Sequence, residues 1–85
     1  MQSISYELEK WSQSKWRKNT RFYVLSLNQN IFGAWIITKT WGSAVKRGFG
    51  KSQDILCPDY QQGVEVFEKL EERCLHKGYK KVNVQ

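Results

Sequence analysis

The hydrophobic period changes at Pro58, and that change limits the fold. After Pro58, Val64, Phe67, Leu70 and Cys74 recur at helical spacing while Glu68, Glu71 and Glu72 lie on the solvated side. Asp59 is a good N-cap and Lys77-Gly78 a stop signal, so one amphipathic helix of about 17 residues is predicted. Before Pro58 the apolar residues follow strand spacing. A lone helix has one stripe to bury and no helical partner, so it must cover a sheet. The expected class is α+β: an antiparallel meander with one helix packed on it.

The strands are placed by alternation and punctuation. Ile4, Tyr6 and Leu8 alternate with polar residues and predict a half-buried strand, and residues 11–20, WSQSKWRKNT, read as a strand end plus a loop. Residues 21–27, RFYVLSL, carry apolar groups on both faces and predict a central strand. A turn over 28–33, NQNIFG, leads to a strand AWIITKTW, on which Trp35, Ile37, Lys39 and Trp41 share one face and Ala34, Ile36, Thr38 and Thr40 the other. Residues 42–50, GSAVKRGFG, predict a long loop, with Gly48 and Gly50 serving turn geometry. KSQDILC predicts a short fourth strand, and YKKVNV a last edge strand guarded by its lysines. With 85 residues, a single domain spanning 1–85 is expected.

Charge is distributed unevenly. Between Lys10 and Gln53 there is no Asp or Glu, while nine of the 14 Lys and Arg residues lie there, so this half carries +9 and the rest of the chain −3, 9 − 3 giving the net charge of +6. Such asymmetry points to a polyanion-facing surface. The start MQSISYELEK has neither the cationic opening nor the apolar run of a secretory leader, and no stretch has the length of a membrane span. Cys57 and Cys74 are therefore expected as reduced thiols of a cytoplasmic protein, with nucleoid association compatible with its charge.

Enzyme readings find little support. Gly50-Lys51-Ser52 ends like a nucleotide-binding loop, but position 45 is Val where the first glycine must stand, and QDILCP does not open a helix. His76 is the sole histidine, and with Cys57 and Cys74 it makes too sparse a set for zinc. No catalytic residue, metal, cofactor, small-molecule substrate or membrane partner is expected. Trp35 reads as core. Trp41 has two readings, a strand-end residue closing the core or a ring partly exposed beside a basic loop. Trp11 and Trp16, among Lys15, Arg17 and Lys18, suit either a stacking platform or a lid packed by lysine stems.

The pieces WRKNTRFYVLSL from Trp16, IFGAWIITKTWG from Ile31, GFGK from Gly48, and the run from Phe67 to KGY at Tyr79 together resemble a WGR domain, most closely the stand-alone bacterial form. The resemblance spans about residues 11–79. It implies a sheet with one helix and a role in contacting DNA near strand ends. In the DNA-dependent polymerases of that family, the motif tryptophan packs on a terminal sugar and the arginine contacts the backbone. Here Trp41 and Gly42 match the first two motif positions, whereas Ser43 replaces the arginine with one uncharged hydroxyl. Lys46 or Arg47 in the same loop is a candidate for the lost cation. The expected function is non-enzymatic nucleic-acid binding, DNA foremost, through Lys39, Trp41, Gly42, Lys46, Arg47 and Lys51, with Lys15, Lys18 and Arg21 as a second patch. The alternative is a protein-interaction module docking an acidic partner on the same surface.

Overall fold

The computed structural model describes residues 6–45 and 50–82. Five strands form one antiparallel sheet: β1 (Ser12–Lys18), β2 (Arg21–Gln29), β3 (Trp35–Ser43), β4 (Gly50–Leu56) and β5 (Lys80–Val82), in the spatial order β4-β3-β2-β1-β5. The helix α1 (Tyr60–His76) lies across one face. The expected α+β architecture is present, with β1 to β4 a meander and β5 returning to pair with β1.

The helix is built as its sequence predicts. Asp59 caps it, its carboxylate accepting the Gln62 amide at 2.8 Å, and Phe67, Leu70 and Cys74 are buried beneath it. Gly63, rather than Val64, is the first buried position. A β-carbon there would lie 2.9 Å from Leu27 Cδ1, so the missing side chain lets the helix approach the sheet closely. Gly63→Val is expected to destabilise the domain by about 1–3 kcal/mol through overpacking, read as a lower urea midpoint at unchanged slope.

The helix stops through a Schellman motif. Gly78, at φ +89°, donates to the Leu75 carbonyl, and Tyr79 donates to that of Cys74, both at 3.0 Å. This reversal aims Tyr79 back onto the sheet, against Tyr23. At the opposite end Tyr60 packs against Trp35, with ring centroids 4.8 Å apart. Between these ends lie Leu25, Leu27 and Ile37, the most enclosed side chains, each contributing about 1.5–3 kcal/mol by burial.

Three expectations need correction. Tyr6 and Leu8 do not form a strand: Leu8–Lys10 is a 3-10 turn, both apolar side chains are exposed, and Ile4 lies outside the described residues. The segment is tied locally, the Gln29 side-chain oxygen accepting the Glu7 amide and the Trp11 indole N–H. The supposed loop after Trp11 is β1, whose inward positions include Ser14 and Trp16. Ser14 tolerates burial because its hydroxyl accepts the Trp16 indole N–H at 3.0 Å, so the alternation passes through a polar residue. Finally, Asn28 and Gln29 extend β2, while Gly42, Ser43 and Gly50 belong to strands, leaving both connections shorter than expected.

Candidate functional site

Strand pairing orders the side chains of the helix-bearing face into rows. One row crosses all five strands: Lys81, Trp16, Tyr23, Trp41 and Lys51 are successive cross-strand partners. The next row toward the β1–β2 turn holds Lys18, Arg21 and Ser43. On the other side, Lys39 stands two residues from Trp41 along β3. The helix covers Trp16, which is 3% exposed, but stops short of Trp41, which is half-buried.

A groove of about 860 Å³ opens where the helix ends. Tyr23 and Trp41 form its floor, their rings stacked at 6.0 Å with an interplanar angle of 18°. Tyr79 meets Tyr23 edge-on at 6.0 Å, and the Lys39 ammonium lies 5.8 Å from the Trp41 ring centroid. Lys18, Arg21, Lys39 and Lys77 line the groove, with no carboxylate among the lining residues. Among the described residues none of these four cations forms an ion pair; the two pairs seen are Lys10–Glu7 and Lys81–Glu71. Lys18 instead donates to the Lys77 backbone carbonyl, tying the helix end to β1. Asn19, at φ 54°, makes the tight turn that holds Lys18 and Arg21 side by side.

Of the residues expected at the site, Lys39, Trp41, Lys18 and Arg21 line one groove, and Lys51 stands beside Trp41 on the same face. The separate second patch therefore does not exist as drawn. Lys18 and Arg21 join Trp41, while Lys15, three residues before Lys18 on the same strand, falls on the opposite face as the partner of Val24 and Val82. Gly42 occupies a position of that opposite face, between Phe22 and Gly50. Lys46 and Arg47 lie outside the described residues. Tyr23, Lys77, Tyr79 and Gln53 belong to the groove but were not anticipated. The shared face of Lys51, Gln53 and Ile55 follows from strand period, whereas Lys77 and Tyr79 reach the groove only through the turn at Gly78. Trp16 proves to be core, with the Lys81 ammonium 6.0 Å from its centroid. Trp11 lies on the first turn, in edge contact with Tyr6.

Burial, foremost, raises the Tyr23 phenol above its ordinary range, assisted by Cys74 and Tyr79 and opposed by Arg73. Tyr23 thus meets a ligand as a neutral ring. Burial likewise raises the thiols of Cys57 and Cys74, both free. The fold then holds these protons more firmly than the unfolded chain does, so stability is complete below the unfolded thiol pKa, about 8.5, and falls as pH rises beyond it. The urea midpoint should decline between pH 8 and 9.5, and decline less in Cys74→Ala.

Among the described residues no three His, Cys, Asp or Glu side chains converge to hold a metal, and no helix is long and apolar enough to cross a membrane. Compared with protein-family models, curated proteins and solved structures, the chain has no significant match. The groove itself combines the cations of Lys18, Arg21, Lys39 and Lys77 with the rings of Tyr23, Trp41 and Tyr79.

Proposed function

We propose that this domain is a non-enzymatic nucleic-acid-binding module, acting foremost on DNA through the groove at the end of α1. The observation that carries the reading is the convergence of Lys18, Arg21, Lys39 and Lys77 around the Trp41–Tyr23 floor, with no carboxylate lining it. Cations that form no ion pair among the described residues are available to phosphates, and binding would be driven by counterion release. The WGR-like sequence supports the same face, because Trp41 faces the groove. Arg21 is the cross-strand partner of Ser43. In this reading Arg21, from the neighbouring strand, supplies the guanidinium that Ser43 lacks.

Fluorescence-anisotropy titration of a labelled DNA at several salt concentrations tests the proposal. Three to five phosphates engaged give a log–log slope of roughly −3 to −4, with micromolar affinity expected of one small domain. Absence of binding at low salt would overturn this reading and favour docking of an acidic protein on the same cations.

A further inference from the structure

Resting on that reading of the groove, we infer that it seats an unpaired strand, one base stacked on the Trp41 ring, and discriminates against a closed duplex. Shape gives the first reason. A volume of about 860 Å³ between the helix end and the β1–β2 turn admits a nucleotide or two, and a double helix cannot enter it. A duplex would rest on the rim, its paired bases never reaching the floor.

The floor gives the second reason. Phosphates and sugars require donors and cations, yet where the groove meets the sheet it is lined by the stacked Tyr23–Trp41 pair. A flat apolar ring that the helix leaves half-covered suits the π-face of an unpaired base, and the match is tolerant of sequence because every base has one. Duplex DNA presents no such face along its length.

Placement of charge gives the third. Arg21 and Lys39 stand two residues to either side of the Tyr23–Trp41 row, a step of about 7 Å along a strand. A base stacked on that row therefore has a cation toward each of its flanking phosphates. The neutral rim groups, Asn19, Thr20 and Gln53, offer hydrogen bonds to base edges without a fixed pattern, so little base preference is expected.

The test compares three labelled ligands with equal numbers of phosphates: oligothymidylate of about 12 nucleotides, the same backbone with abasic sites, and a duplex whose ends are closed by non-nucleotide linkers, so that it carries no unpaired base. Anisotropy titrations of the whole chain should show oligothymidylate binding about tenfold more tightly than either of the others. Trp41→Leu should bring it down to the abasic level while leaving the salt slope unchanged. Equal affinity for oligothymidylate and the abasic strand, or a duplex bound as tightly as the single strand, would overturn the inference and leave a phosphate-binding surface. No binding to any of the three would overturn the nucleic-acid reading itself. The abasic comparison is made on the unaltered protein, so it does not depend on how Trp41→Leu folds.

Discussion

Reversing Arg21 and Lys39 together, as Arg21→Glu/Lys39→Glu, is expected to weaken DNA binding about 100-fold at moderate salt and to reduce the salt slope by about 2. Both side chains flank the Tyr23–Trp41 row, so two attractive contacts become two repulsive ones at the centre of the interface. The matched control is Lys15→Glu/Arg17→Glu. These positions share β1 but face away from the helix, pairing with Val24 and Phe22, and their reversal changes net charge by the same amount. If the groove is the interface, the control loses less than about threefold, the part due to the long-range field alone. Equal losses in the two double mutants would mean that net charge, not the groove, governs binding. Far-ultraviolet circular dichroism and thermal unfolding of both proteins establish that each remains folded.

The second large effect concerns the core that supports the groove. Leu25 is 0% exposed, stands between Ser14 and Lys39 in its row, and lies in the cluster that joins β2 to Phe67, Leu70 and Cys74 of the helix. Leu25→Ala should cost about 2–5 kcal/mol, from lost burial plus a cavity that the two β-sheet neighbours cannot fill. That is a large share of the roughly 5–15 kcal/mol that stabilises a natural domain, and melting should fall by about 10–20 °C or more. Leu56→Ala is the contrast: the side chain is 70% exposed on the outer strand β4, and its removal should change stability by less than about 0.5 kcal/mol. Both values are read from urea unfolding at matched slopes.

The helix was legible because every signal agreed: the cap at Asp59, the buried stripe through Phe67, Leu70 and Cys74, and the stop at Gly78 all mark one element. β3 was equally legible, its two faces following directly from alternation, and Trp41 and Lys39 were correctly placed together. β1 was hidden because one inward position is Ser14, a residue that reads as loop until its bond to Trp16 is known. The reverse error at Tyr6 and Leu8 came from an alternation too short to specify a strand. At the site, Lys15, Lys18 and Arg21 looked like one patch because they are near in sequence, although an odd spacing along β1 sends Lys15 to the other face. Tyr23 could join Trp41 only through the register of β2 against β3, which no local pattern announces. Lys77 and Tyr79 were likewise beyond local reading, since their place depends on where the helix ends relative to the sheet.

The most direct test of the groove as the interface is an amide and indole chemical-shift map of the labelled protein titrated with a short single-stranded DNA. Perturbations concentrated at Arg21, Tyr23, Lys39, Lys77, Tyr79 and the Trp41 indole N–H are predicted, with the Trp16 and Trp35 indoles little changed. Perturbations centred instead on Lys15, Arg17, Phe22 and Ile36 would place the ligand on the opposite face and contradict the account.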